Sequence, residues 1–266
     1  MGITSLYTAA TGMKAQSLGM DVIANNLANV STSAFKRQQV NFEDLLYQHL
    51  QAPGRTGGQE FVPSGVSVGL GTRVSSTTRV FTQGSIQVTD RPLDVAIEGG
   101  GFFKLILPPD IGGGAGYTRA GDFSMDEAGN VVTPDGYQLD PAITIPPDAT
   151  DLSIRRDGTV FARVAGDTTL SELGRIQLAT FVNPDGLMAH GQNVFLESDA
   201  SGPAVLANPG EQGLGEIEQG ALEQSNVDIV KELVNMIQTQ RAFEINSQVI
   251  QSANESLQVV TNLIRS

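Results

Sequence analysis

The sequence predicts an α+β protein: long amino- and carboxy-terminal helices packed as a coiled-coil-like base, an extended connector, and a central antiparallel all-β domain. Three observations predict it. A seven-residue apolar repeat runs through residues 229–264, a matching repeat runs through residues 3–27, and all 12 prolines with 27 of the 30 glycines lie between Pro53 and Gly220.

The carboxy-terminal repeat stops on Ile229, Met236, Phe243, Ile250, Leu257 and Ile264, with Leu233, Gln240, Ser247, Asn254 and Thr261 as a companion seam that turns polar. Val230, Val234, Ile237, Val249, Ala253 and Val260 widen the stripe, and no Gly or Pro follows Gly220. A heptad held this long predicts one helix that packs lengthwise against others, about 60 Å long at 1.5 Å per residue. At the other end, Ile3, Leu6, Ala10, Met13, Ser17, Met20, Ala24 and Leu27 alternate spacings of three and four, and only Lys14 and Asp21 are charged among the first thirty residues. The flanks are Ser, Thr, Asn and Gln rather than the Glu and Lys of a solvated two-stranded coil. Two readings follow: helices touched on several sides, as in the wall of an assembly, or a plain two-helix stalk.

Taken in order, the first helix should stop within Asn25-Asn26-Leu27-Ala28-Asn29-Val30-Ser31-Thr32, because Asn tolerates the left-handed conformation and caps freed carbonyls. Lys36 and Arg37 follow where a helix carboxyl end favours cations. The run Phe42, Leu45, Leu46, Tyr47 allows a helical fragment. From Gln51 to Thr72 the chain is rich in Gly and Pro and reads as an extended or hairpin-like connector. Strands are expected at 80–88, 93–97, 102–107, 152–156, 160–164, 176–182 and 194–196, separated by Asp-Gly turns at 135–136, 157–158 and 185–186. The expected domains are a terminal helical domain (1–34 with 222–266), a connector region (35–75) and a β domain (76–221), with the chain leaving the β domain over residues 210–220.

A formal charge of -13 with 17% charged residues argues against nucleic acid. With no cysteine there is no disulfide, thiolate nucleophile or cysteine metal site. The amino terminus lacks a basic patch followed by an apolar run, and no stretch has the length of a membrane span, so neither a signal peptide nor membrane insertion is expected. Gly65-Val66-Ser67-Val68-Gly69 matches a nucleophile elbow, which works only on a strand-to-helix turn with a later histidine, and His190 is the only one downstream. Gly99-Gly100-Gly101 lacks the Lys-Ser/Thr of a phosphate loop. Asp122, Asp126 and Glu127 lack the ligand ladder of a calcium loop, and His49 and His190 lack cysteine or carboxylate partners in the sequence. No catalytic, cofactor-binding or metal residue is assigned, and a structural role is expected. A hidden enzyme site, tested by mutating Ser67 or His190, and a trimeric helical-stalk fibre or adhesin are the alternatives.

These motifs resemble the axial proteins of the bacterial flagellum, the rod and hook family. Residues 25–32 followed by Phe35-Lys36-Arg37 resemble its amino-terminal signature. Asp94-Val95-Ala96-Ile97, Gly101-Phe102-Phe103 and Tyr117-Thr118-Arg119-Ala120-Gly121-Asp122-Phe123 resemble its β domain. Glu232-Leu233-Val234-Asn235-Met236-Ile237 and Gln240-Arg241-Ala242-Phe243-Glu244-Ile245-Asn246 resemble its carboxy-terminal helix. The family usually has Gly before the aromatic, where this chain has Ala34, which leaves a left-handed backbone there open.

Within that family the length and carboxy-terminal wording are closest to distal-rod members, with proximal-rod or hook-type members as the alternative. The resemblance implies a helical homopolymer, exported by the flagellar type III apparatus without a cleaved signal peptide and spanning the periplasm. It would meet proximal rod proteins, the hook protein and the surrounding ring proteins, with no cofactor. It implies assembly roles for Leu6, Met13, Met20, Asn25, Asn26, Leu27, Asn29, Phe35, Leu233, Met236, Ile237, Arg241, Phe243, Ile250 and Leu257. Stiffness is implied for the connector residues Gln51, Pro53, Gly54, Phe61 and Pro63.

Overall fold

The computed structural model describes residues 2–51, 54–55, 61–62, 64–164 and 169–265. The chain divides into two compact units: Met1–Ala28 with Gln38–Thr78 and Asp228–Ser266, and Asn29–Arg37 with Arg79–Val227.

In the first unit, helix α1 (Gly2–Ala28) packs on helix α2 (Ile229–Arg265). The side chain of Asn246 lies against Gly12 and that of Thr239 against Gly19, so the helices run antiparallel in a seven-residue register. The packed seam of α1 is made of small residues, Ala15, Gly19 and Val22 buried and Gly12 half-buried, and it ends at buried Asn26. Glycines let two backbones approach closely, and this draws the contact toward α1's small residues. Leu6, Met13, Met20 and Leu27 flank the seam and are half-buried. Helix α2 starts on Asp228, whose Oδ1 accepts the backbone N–H groups of Val230 and Lys231 at 3.0 and 3.2 Å, an N-cap that satisfies otherwise orphan donors.

The described residues between 38 and 79 form a two-stranded antiparallel ribbon. Strand β1 (Gln38–Asp44), β2 (Tyr47–Gln51) and β3 (Gly54–Arg55) make the outgoing arm, and β4 (Phe61–Val62), β5 (Val66–Gly69) and β6 (Thr72–Arg79) return, paired β3·β4, β2·β5 and β1·β6. Phe42 and Tyr47 therefore sit on strands, correcting the allowance for a helical fragment: the returning arm offers every second residue a backbone partner, and that pairing is not local. Gln51 closes β2 opposite Val66, and Gly54 pairs with Val62. Phe61 contributes its backbone to β4, whereas Pro53 and Pro63 lie outside the described residues. Gly71 (φ 111°) sits against Thr8 and Thr11 of α1, where no larger residue fits.

The second unit is an antiparallel β domain. After β7 (Ile86–Val88), β8 (Val95–Glu98) and β9 (Phe102–Ile106) come β10 (Ala115–Thr118), β11 (Ser124–Met125), β12 (Val131–Val132) and β13 (Gln138–Asp140). A meander of β14 (Ala149–Ile154), β15 (Thr159–Val164) and β16 (Leu170–Arg175) follows. The chain continues through β17 (Leu178–Thr180), β18 (Met188–Gly191), β19 (Val194–Leu196), β20 (Val205–Ala207), β21 (Glu216–Gln219) and β22 (Ala221–Glu223). The main sheet runs β11-β12-β13-β9-β10-β19-β18, with β17 joining β9 and β20. Its core is Phe103, Leu105, Phe123, Leu139, Ile143 and Leu178 with their neighbours. Phe81, Phe102, Phe181, Phe195 and Tyr117 form a second cluster with edge-on rings, the geometry that aligns ring edges with ring faces.

Two expectations shift. Only residues 86–88 of the expected 80–88 strand pair as a strand, and the chain stays in the β unit through Val227. Strands β21 and β22 are too short to show a period, and long-range partners define them.

Candidate functional site

Three features of the molecule bear on function. The first is the outer face of α2. Its inner side, Glu232, Met236, Thr239, Phe243, Asn246 and Ile250, is buried or half-buried, while Val230 (70% exposed), Leu233, Val234, Ile237 (58%), Ile245 and Val249 are exposed. These side chains recur at helical spacing and form an apolar stripe with one exposed ion pair, Arg241–Glu244 at 3.0 Å, in its midst. Exposed apolar stripes of this kind mark contact surfaces. Leu257 is also exposed. It lies beyond α1's reach, since the Gly12–Asn246 register exhausts α1 before that point.

The second is the ribbon. Leu46 (84% exposed), Tyr47, Leu50, Val66 and Val68 present apolar groups to solvent from both arms. A two-stranded ribbon is marginal alone, so its exposed apolar faces are suited to support from outside. At its base a groove of about 460 Å³ is lined by Tyr7, Thr11, Lys14, Leu18, Leu45 and Val74 among others.

The third is a buried ionic clamp in the β unit. Lys36 Nζ lies 2.6 Å from Glu223 Oε1 and donates to the carbonyl of Thr82 at 2.9 Å. Arg119 Nε lies 2.8 Å from Glu223 Oε2, and its two terminal nitrogens donate to the carbonyls of Gly101, Gly99 and Ile97. The Lys36 and Glu223 side chains are each 1% exposed. Burial alone would raise the Glu223 carboxyl, but the charges of Arg119 and Lys36 hold it below the usual range. Burial pulls the Lys36 amine below its usual range despite Glu223. Around this triad, Ala34 N–H donates to the Glu223 carbonyl at 2.8 Å, and Asn226 accepts Arg37 N–H at 2.7 Å while donating to the carbonyls of Val80 and Thr82. Asn193, in the left-handed turn between β18 and β19, donates to the Ser33 carbonyl.

Ala34 answers the question the sequence left open: φ is 55° and the residue is buried, so the backbone is left-handed with a methyl in the place of glycine's hydrogen. Phe35 is half-buried and accepts Asn226 N–H. Asn29 takes both the backbone N–H and the hydroxyl of Thr32, closing the turn after α1. Asn25 is exposed on α1, whereas Asn26 is fully buried. Of the clamp, the motifs holding Lys36 and Arg119 are legible in the sequence, whereas Glu223, Asn193 and Asn226 are not. Their spacing from Lys36 carries no local signal.

The chemical motifs resolve differently. Ser67 lies inside β5 opposite His49, on an exposed ribbon whose next element is another strand. The carbonyls of Gly99 and Gly101 face a guanidinium, the reverse of a phosphate cradle. Asp126 spends both oxygens on Asn130. Among the described residues no group of three or more His, Asp or Glu converges, and no helix is long and apolar enough to cross a membrane.

Comparison with known proteins is consistent along the whole chain. Residues 6–36 match the family described as flagella basal body rod protein, 96–162 the flagellar hook protein FlgE/F/G D1 domain, and 218–263 the flagellar basal body rod FlgEFG protein C-terminal region. The flagellar basal-body rod protein FlgG of Caulobacter vibrioides is 47% identical over 261 residues, covering 97% of this chain and 98% of that protein. FlgG of Buchnera aphidicola from Acyrthosiphon pisum is 45% identical (98% and 100% covered), and FlgG of Bacillus subtilis 39% (99% and 100%). The hook protein FlgE of Helicobacter mustelae is 46% identical over 140 residues, only 30% of its length. Identity at this level over essentially full length, with three family regions in order, leads to one conclusion: the chain belongs to the flagellar rod and hook family of axial proteins, with the basal-body rod protein FlgG.

Proposed function

We propose that this chain is a structural subunit of the flagellar distal rod, polymerising helically into the shaft that links the motor to the hook across the periplasm. The observation that carries the reading is the full-length similarity to basal-body rod proteins called FlgG. The work is done by packing rather than catalysis. Met236, Phe243 and Ile250 hold α2 beside Leu6, Met13, Met20 and Leu27 of α1. Leu233, Ile237 and the other outward residues of α2 meet neighbouring copies, and Leu257 and Arg241 extend that contact. The ribbon, with Gln51, Pro53, Gly54, Phe61 and Pro63, braces one subunit against the next. Contact through different faces of one subunit is heterologous, and a heterologous contact that does not close builds an open helix rather than a ring. The remaining partners are proximal rod proteins, the hook protein, the surrounding rings and, during secretion, the export apparatus.

The test is electron microscopy of basal bodies from a strain lacking the gene, complemented with the natural chain or Ile237→Asp. Rods that stop short without a hook, rescued by the natural chain and not by Ile237→Asp, support the reading. Rings with no rod at all move the protein to the proximal rod, and intact hooks overturn the assignment.

A further inference from the structure

We propose that residues 214–227 are a closing strap without which the β unit does not hold its fold, so that a chain delivered amino end first stays open until this late stretch arrives.

Three independent observations converge on the strap. First, among the described residues β8 pairs with β21 alone and β7 with β22 alone. Without the strap, two of the earliest strands of the unit lack their strand ladder, and β8, whose Val95, Ala96 and Ile97 are nearly or fully buried, keeps the bond from Val95 N–H to the Gly121 carbonyl. Buried backbone groups without partners are costly, so half-formed pairing of this kind does not persist.

Second, Glu223 is the only carboxylate bonded to Lys36 or Arg119 among the described residues. Both cations are buried, and both precede it in the chain, Lys36 by 187 residues and Arg119 by 104. A buried cation stripped of its counter-ion is strongly destabilising. Until Glu223 arrives, Lys36 and Arg119 favour water over the interior, which keeps residues 34–37 and the Gly99–Gly101 loop undocked.

Third, the strap bonds to several segments distant in the chain. Gly215 N–H donates to Gly100, Gly220 N–H to Asp94, Ile217 N–H to Arg156 and Gln224 N–H to Ser85. The Gln219 side chain bonds Pro92, Leu152 and Ile154, and Asn226 bonds Arg37 and Val80. Segments from residue 37 to residue 156 are thereby joined by one late stretch. For a chain passed amino end first through a narrow channel, this keeps the β unit threadable until the strap itself has passed. That consequence rests on the proposed function, whereas the strap itself does not.

The test is pulsed hydrogen exchange during refolding of the full chain, followed by native-state exchange of a Glu223→Gln variant. In refolding, the amides of Val95 and Leu105 should gain protection together with those of Ile217, Gly220 and Gln224. Protection of Val95 and Leu105 while the strap still exchanges would overturn the proposal, whether or not the protein builds a rod. In Glu223→Gln, protection across β8, β9 and the strap should fall together, by about a hundredfold. A loss confined to residues 34–37 and 82–84 would overturn it. If the variant does not fold, the refolding experiment on the natural chain decides.

Discussion

The side-chain amide of Asn26 pairs with both backbone groups of Gln38: Nδ2 donates to the carbonyl at 2.8 Å, and the Gln38 N–H donates to Oδ1 at 2.9 Å. Asn26 is fully buried near the end of α1, and it serves the first residue of the ribbon as a neighbouring strand would. Asparagine is the one residue of this size and shape with a donor and an acceptor side by side. Asn26→Asp should therefore be worse than Asn26→Ala, because the carboxylate meets the Gln38 carbonyl with no proton to offer. Thermal unfolding followed by circular dichroism should show losses of about 2 kcal/mol for Ala and more for Asp. Equal stability of Asp and the natural residue would remove the pairing from the account.

The second prediction concerns acid. Glu223 has a folded pKa below its ordinary 4.5, so its contribution is fully present above about pH 4.5 and is lost as pH falls through the folded value. Glutamine imitates the protonated acid. The stability difference between the natural protein and Glu223→Gln should be about 3 kcal/mol at pH 7 and should shrink toward zero at the acid end. A difference independent of pH would mean that shape, not charge, holds the clamp.

Gly71 faces α1 and Gly12, on α1, faces α2, and the two should respond differently to alanine. A methyl at Gly71 would come 2.1 Å from Thr11 Oγ1, at φ 111°, where only glycine is comfortable. Gly71→Ala should cost about 2–4 kcal/mol. At Gly12 the nearest atom is the flexible end of Asn246 at 3.0 Å, and alanine also improves helix propensity. Gly12→Ala should change stability by less than about 1 kcal/mol. Urea unfolding of the two variants measures this directly.

Ala34 carries a left-handed backbone that costs a non-glycine residue about 1 kcal/mol. Ala34→Gly relieves that strain but frees the unfolded chain, so a change within about 1 kcal/mol is expected. Ala34→Val adds a branched side chain at a buried, positive-φ site, and should destabilise the β unit by more than about 2 kcal/mol. A neutral valine would show that the turn relaxes.

The parts of this protein legible in its residues are those governed by short periods and local chemistry. The spacing from Ile229 onward specifies a long helix whatever its neighbours. The asparagine run ends the first helix at Ala28 as expected, and alternating runs with Asp-Gly turns mark β9, β15 and β19. The motifs around Phe35, Asp94, Arg119 and Arg241 were enough to point to the family and its structural role.

What needed the tertiary structure is whatever depends on residues far apart in the chain. Leu6, Met13 and Met20 flank the helical seam while Gly12 and Gly19 lie within it, because close approach of two backbones outweighs the larger apolar groups. The described residues of the connector form a paired ribbon because each arm supplies the other's hydrogen bonds. Glu223 and Asn226 give no local sign of importance. Their roles exist only once folding brings Lys36 and Arg119 out of water and leaves two buried cations that share one distant carboxylate.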